Sequence, residues 1–198
     1  MVLTARKNLK LYVSDRQIEI LVGCLLGDAY LTKLGKIQIE QSKKQEEYIK
    51  WKHQELSSIS YSGLKEVVRF DKKDNRTTKS LRFWTRQYFK VWRDVFYREG
   101  LKVFPADLAK WITPLSIAVW FMDDGSYDKK SNCIFSTESF NEESRVELVG
   151  ILKDFGIEVS SNKNGISGTR LRVRSKSLYR FFELIRPFMH QSMMYKLP

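Results

Sequence analysis

The chain is written twice, and that constrains its fold more than any other feature. An apolar run closed by an acid, Leu21-Val22-Gly23-Cys24-Leu25-Leu26-Gly27-Asp28, returns as Ile117-Ala118-Val119-Trp120-Phe121-Met122-Asp123-Asp124. Gln41-Ser42-Lys43-Lys44-Gln45 pairs with Glu138-Ser139-Phe140-Asn141-Glu142, each carrying the Ser-x-x-Gln or Ser-x-x-Glu start signal of a helix. Leu81-Arg82-Phe83-Trp84-Thr85-Arg86 aligns without gaps on Leu171-Arg172-Val173-Arg174-Ser175-Lys176, and Lys102 ahead of Pro105 matches Lys196 ahead of Pro198. The separations are 96, 97, 90 and 94 residues, as a tandem duplication with small loop changes would leave them. A domain-length unit present only twice predicts two fused α/β halves with paired sites, and not a solenoid. The join is expected within Gly100–Trp111, giving halves of residues 1–104 and 105–198.

Each half reads as helix, hairpin, helix, two strands and closing helix. Ser14 with Gln17 makes a capping box for the first helix, and Thr113-Pro114 supplies N-cap and N1 for its counterpart. Leu34-Gly35 suits a turn between strands at Tyr30–Thr32 and Lys36–Glu40, where Ile37 and Ile39 alternate with polar neighbours. Alternation in Arg170-Leu171-Arg172-Val173-Arg174 places three guanidinium groups on one side of a strand, which is unfavourable unless an anion lies across it. The stripe Tyr88-Phe89-Trp92-Phe96 has helical spacing and reads as core.

Charge narrows the partner. With 35 Lys and Arg against 23 Asp and Glu in 198 residues, the formal net charge is +12, a field that attracts phosphate. A basic membrane-surface protein is disfavoured, because no helix confines its Lys and Arg to one face beside a broad apolar face. The longest apolar run, Ile18–Leu31, is interrupted by Glu19, Gly23, Gly27 and Asp28 and is too short to span a bilayer. Cys24 and Cys133 sit in apolar sequence with no paired-metal or disulfide pattern, which fits reduced thiols in an intracellular protein. Ahead of Asp15, Arg6, Lys7 and Lys10 stand without an acid; a basic arm on DNA and the remnant of a transit peptide both fit.

Asp28 and Asp124 are the candidate chemistry. An acid at a helix C-terminus meets the partial negative charge already there, and a bound cation would relieve it. Glycines at i and i+4, Gly23 and Gly27, would let the two motif helices pack side by side and bring the carboxylates together. Carboxylates with nearby backbone carbonyls make a hard-oxygen site suited to Mg²⁺, which takes phosphate as co-ligand and serves phosphodiester hydrolysis. An isolated Asp at a helix end is most often an ordinary surface residue, and it is the duplication that weighs against that here. His53 and His190 stand at unrelated places in the two halves, so a histidine-based site is not expected and both read as surface or packing residues.

Leu21–Ala29 and Ile117–Gly125 resemble the two LAGLIDADG motifs of homing endonucleases, and nearly the whole chain is similar to the monomeric, double-motif members. The resemblance implies an α+β fold of two pseudo-symmetric αββαββα halves forming a saddle-shaped antiparallel sheet, with the motif helices packed at the interface. It implies a site-specific, metal-dependent endodeoxyribonuclease that promotes intron homing by cutting both strands of a long asymmetric DNA target to leave short 3′ overhangs. The cofactor would be Mg²⁺, with Mn²⁺ or Ca²⁺ able to substitute in binding. Partners would be double-stranded DNA and, left open, intron RNA; no membrane is implied and the protein would be a monomer. Its setting would be intracellular, either an organelle (mitochondrion or chloroplast) or a microbial cytoplasm. An RNA-splicing maturase or a non-cleaving DNA-binding protein on the same fold is the alternative, against which both intact acids argue. An unrelated basic, ribosome-associated protein would have no reason to repeat them.

By position, Asp28 and Asp124 become the metal ligands, joined by the carbonyls of Gly27 and Asp123. The resemblance further implies that Lys102 and Lys196 assist near the scissile phosphates and that Gln41 and Glu138 organise active-site water. Expected DNA contacts are Lys33, Lys36, Gln38, Glu40, Lys43, Lys65, Arg69, Lys79, Arg82, Trp84, Lys129, Lys130, Arg170, Arg172 and Arg174. Against the family pattern, Ala29 replaces a common glycine, while Val119 and Asp123 stand where small residues let the motif helices approach, so looser helix packing is expected. Glu138 in place of a neutral partner for Gln41 adds negative charge to one half-site. Unequal strand cleavage follows, to be resolved as two rates in nicking of supercoiled DNA; equal rates would count against it.

Overall fold

In this computed structural model the described residues are 1–4, 9–98, 101–163 and 168–198. Arg6 and Lys7 of the basic amino-terminal stretch, and Gly100 of the expected join, lie outside them. On packing, the chain divides into one unit of Met1–Ile18 with Asp28–Arg93 and another of Glu19–Gly27 with Asp94–Pro198. This differs from a simple cut after residue 104. From Ile20 to Leu26 the first motif helix is buried on every side, and a helix that is apolar all round must be packed against other elements, so these turns count with the second unit.

The first unit opens on the hairpin β1 (Val2–Thr4) and β2 (Lys10–Tyr12), after which α1 (Asp15–Leu26) begins. The expected capping box is present: Gln17 N donates to Ser14 Oγ and Ser14 N to Gln17 Oε1, both at 3.2 Å. Then come β3 (Tyr30–Leu31), β4 (Ile37–Ser42), α2 (Glu46–Glu55), β5 (Lys65–Asp71), β6 (Arg76–Trp84) and the start of α3 (Lys90–Phe96). The strands form an antiparallel sheet in the order β3-β4-β6-β5. Alternation sends Ile37, Ile39, Leu81 and Phe83 into the core and leaves Gln38, Glu40, Arg82 and Trp84 on the other face. Phe89, Trp92 and Phe96 are buried, as their spacing predicts.

The second unit holds the short hairpin β7 (Tyr97–Arg98) and β8 (Leu101–Lys102), then α4 (Pro114–Asp124), β9 (Gly125–Tyr127), β10 (Cys133–Phe135), α5 (Glu142–Asp154), β11 (Val159–Lys163), β12 (Thr169–Val173) and α6 (Leu178–Ile185). Its larger sheet runs β9-β10-β12-β11, the same strand order as in the first unit. The fold is thus α+β with antiparallel sheets, and αββαββα is its repeating order. Thr113 caps α4 and Pro114 starts it, as expected. Ser139 does not start α5; Asn141 does, its side chain accepting from Ser144 N at 3.0 Å, because the amide sits at the residue where the backbone turns helical. The core stacks Trp120 on Phe135 at 4.1 Å and Phe121 against Phe181 at 5.1 Å between ring centroids. Burial, with the nearby charge of Asp128, pushes the Cys133 thiol up to about 12, so it stays protonated.

The end of α1 and the start of α4's acidic end are in direct contact inside this unit. A Cβ on Gly23 would come within 2.6 Å of Ser116 O and 2.7 Å of Val119 Cβ, and one on Gly27 within 2.5 Å of Asp123 Cβ. The expected loosening at Val119 and Asp123 is therefore not found, since both larger residues are received by glycines on the facing helix and the backbones still approach closely. Gly23→Ala should cost about 1–3 kcal/mol in urea unfolding, the usual range for overpacking. Gly150→Ala, with nothing within 4 Å of the added methyl on α5, should stabilise by roughly 0.5–1 kcal/mol. Equal stability of Gly23→Ala and the parent would refute the close approach.

Candidate functional site

Both motif helices end on carbonyl oxygens that a lysine holds. Lys102, on β8 and buried, donates from Nζ to Gly27 O at 2.9 Å. Lys196, in the last short helical turn, donates to Met122 O at 2.6 Å, Gly125 O at 2.9 Å, Phe121 O at 3.3 Å and Asp123 O at 3.5 Å. An ammonium here meets the unsatisfied carbonyls and partial negative charge of a helix C-terminus. The lysine supplies much of the counter-charge that sequence reasoning assigned to a metal alone. It also engages the Gly27 and Asp123 carbonyls expected as metal ligands, although each carbonyl keeps a second lone pair.

The acids themselves are accessible. Asp28 is exposed just past α1, and the buried Gln41 on β4 donates from Nε2 to its Oδ2 at 3.1 Å. Asp124 closes α4, half-buried, with its backbone oxygen accepting from Ser136 N at 3.1 Å. Glu138 forms an ion pair with Arg170 on β12, so its added charge is largely met within the protein. Among the described residues no three His, Cys, Asp or Glu side chains gather to cage a metal. A carboxylate with a backbone carbonyl beside it does suit a hard divalent cation that retains water and completes its shell with phosphate oxygens.

The basic residues separate into distinct environments. Arg69 and Arg82 are both paired with Glu40, Arg82 with Nε and Nη2 at 2.7 Å from its carboxylate, because strand pairing sets Glu40 directly opposite Arg82. Burial by itself would raise the Glu40 carboxyl, but hydrogen bonds from Arg69, Ser80 and Arg82 outweigh it and hold the group at about 2, below its ordinary 4.5. Lys79, exposed on β6, lies on the face of Leu81 and Phe83, opposite Arg82, since successive strand residues alternate. Lys65 shares the Arg82 face, exposed, and Trp84 lies under Arg82 at 5.7 Å. Lys33 is exposed in the β3–β4 turn, Lys36 stands over the Tyr61 ring at 4.4 Å, and Lys43 pairs with Glu46 at 2.9 Å and Glu66 at 3.4 Å.

In the second unit Arg170 and Arg172 leave the polar face of β12 while Leu171 and Val173 are buried, as the alternation predicts. Arg174 falls just beyond the strand, and with Arg172, Ser160, Ser175 and Lys176 lines an open basic hollow. Lys129 is drawn to the carbonyl of Leu197 and Lys130 is exposed in the Asp128–Ser131 turn. His53 and His190 have structural partners, the Phe83 ring and Ser192. Sequence reasoning missed the lysine caps and the Glu40 hub because each joins residues tens of positions apart. Asn141-x-x-Ser144 was a readable cap signal.

Because the folded-state value of Glu40 is lowered, its contribution to stability is fully present above about pH 4.5 and lost as the pH falls towards 2. Acid unfolding of Glu40→Gln should lack that component, so the parent and variant stability curves converge below about pH 2–3 and separate above about 4.5. Parallel curves across this window would refute the ionised hub.

The model of the LAGLIDADG DNA endonuclease family matches residues 18–181 of the chain. The structure of the homing endonuclease I-WcaI bound to its DNA recognition sequence superposes with a TM-score of 0.84 at 26% identity, covering 95% of this chain and 88% of that one. Similar sequences include the DNA endonuclease I-ChuI of Chlamydomonas applanata, 25% identical over 93% of this chain and 95% of that protein. The cytochrome b mRNA maturase bI2 of Debaryomyces hansenii is 26% identical over 93% and 74%. Protein RecA of Mycobacterium shimoidei is 28% identical over 93% of this chain and 47% of its own length; the chain spans about half the length of such relatives.

Proposed function

This chain belongs to the LAGLIDADG DNA endonuclease family, and from that premise we propose that it cuts both strands of a long, asymmetric duplex DNA site by metal-dependent phosphodiester hydrolysis. The observation that carries the reading is the recurrence of one arrangement: an apolar helix, an aspartate at its end, and a lysine on the helix-end carbonyls, found at Asp28 with Lys102 and at Asp124 with Lys196.

Asp28 with the Gly27 carbonyl, and Asp124 with the Asp123 carbonyl, would hold a divalent cation, Mg²⁺ in the first instance, each against a scissile phosphate. A cation held there would provide water activation and charge neutralisation at the phosphoryl oxygens. Gln41 keeps the Asp28 carboxylate in one orientation by its hydrogen bond. Lys102 and Lys196 hold the last turns of their helices, so the carboxylates are presented from a fixed backbone, and both place positive charge near an anionic substrate. Arg172 and Arg174, on the polar side of the second sheet, take backbone phosphate, while Gln38 and Arg82 on the first face base edges. The likeness to the bI2 maturase supports a second reading, binding of intron RNA by the same basic surfaces.

Cleavage of a randomised-target plasmid library with Mg²⁺, run with Asp28→Asn and Asp124→Asn beside the parent, tests the proposal. Cuts at one long sequence are expected from the parent, with a loss of about 100-fold or more in each variant and duplex binding retained. An intact library with retained binding of structured RNA would move the function to splicing.

A further inference from the structure

Resting on the DNA-cleavage reading, one cluster in the first unit bears on how a target is chosen. Four side chains from three adjacent strands converge on the Glu40 carboxylate. Arg69 binds both of its oxygens, Nη2 lying 3.0 Å from Oε2, and also reaches Ser80 Oγ at 3.1 Å. Arg82 donates from Nε at 2.7 Å, with Nη2 at ion-pair distance from the same oxygen, also 2.7 Å, while Ser80 donates at 2.5 Å and Gln38 Nε2 at 3.2 Å. The carboxylate side chain is only 16% exposed, and Arg82 is further seated by the Trp84 ring.

An acid at this place is unexpected on the polar face of a sheet in a chain of net charge +12 if the face met phosphate alone. A fixed carboxylate repels the DNA backbone and costs affinity for every sequence, so the patch is better suited to the floor of a groove, where base edges replace phosphates. Glu40 also takes the inner edge of the Arg82 fork, with Nε and Nη2 both 2.7 Å from Oε2, so the outer edge, Nη1 with the second hydrogen of Nη2, takes no part in the Glu40 contact. That edge is the bidentate donor pair that matches guanine O6 and N7. A guanidinium already immobilised loses little further side-chain entropy on contact, whereas a mobile one would settle equally on the nearest phosphate.

We propose that Glu40 is a specificity-determining positioning residue: it holds Arg69 and Arg82 in a base-facing geometry so that Arg82 reads a guanine in the target, and it keeps phosphate off the patch. Glu40 itself contacts the arginines and not the reacting atoms. Its charge persists through any pH at which DNA is duplex, since the network holds its carboxyl near 2.

The test is retention of a randomised duplex library by the intact chain in metal-free buffer, followed by binding to single-base-pair variants of the selected target. The parent should demand G·C at one position contacted by the first sheet. Glu40→Gln should reduce that preference by about 10-fold or more, leave distant positions unchanged, and bind random duplex as tightly as the parent or tighter, with a steeper salt dependence by about one ion. Arg82→Lys should lose the same preference without the gain on random duplex. Should Glu40→Gln not fold, Glu40→Asp decides: it keeps the charge but shortens the reach, so the guanine preference falls while random binding stays low. Uniform weakening at all positions, or an unchanged profile, would overturn the proposal and leave Glu40 a structural residue. A parent that selects no duplex sequence would remove the DNA-cleavage reading and this inference together, whereas a parent with a sharp site and an unaffected Glu40→Gln would remove this inference alone.

Discussion

Close contact between the final turns of α1 and the body of α4 is the constraint on which the second unit and its chemistry depend. Two apolar helices can pack at backbone distance only where side chains leave room, and Gly23 and Gly27 leave it for Val119 and Asp123. Such contact also creates a difficulty, since the helix ends expose carbonyl groups and carry partial negative charge. Lys102 and Lys196 answer it by reaching those carbonyls with ammonium groups, one from a short hairpin and the other from the end of the chain. A carboxylate can follow each helix because the carbonyls before it are already satisfied.

Positive charge on this molecule is more organised than its total implies. Glu40 draws Arg69 and Arg82, and Glu138 draws Arg170, into ion pairs, and these guanidinium groups are oriented by protein carboxylates before any ligand arrives. Arg172 and Arg174 instead line an open hollow where phosphate would find little competition. A net charge of +12 attracts a polyanion from a distance, and the placement of a few acids decides which cations act through bulk charge and which through direction.

Much of the fold was legible because it depends on local periodicity and on duplication. Alternation at Ile37–Glu40 and Arg170–Arg174 predicted which side chains are buried, the Ser14–Gln17 and Thr113–Pro114 signals placed both motif helices, and repetition predicted the common αββαββα order. Reading failed where the decisive neighbour is remote. Ser139 and Asn141 are both acceptable caps by composition, and only the backbone direction at Asn141 selects between them. Val119 and Asp123 looked too large for close packing until the glycines opposite them were in place.

Sequence by itself determined the duplicated plan, the burial of the motif helices, the two acids at their ends and the basic character of the sheet faces, because each is set by spacing along the chain. Tertiary structure alone decided what those charges do. Lys102 lies 75 positions from Gly27, and Glu40 lies 29 and 42 from Arg69 and Arg82. Whether such pairs meet depends on strand register and helix packing, which no local pattern encodes. A lysine expected near a phosphate is also a helix cap, and an acid expected at a base edge is also the anchor of two arginines, once the chain has folded around them.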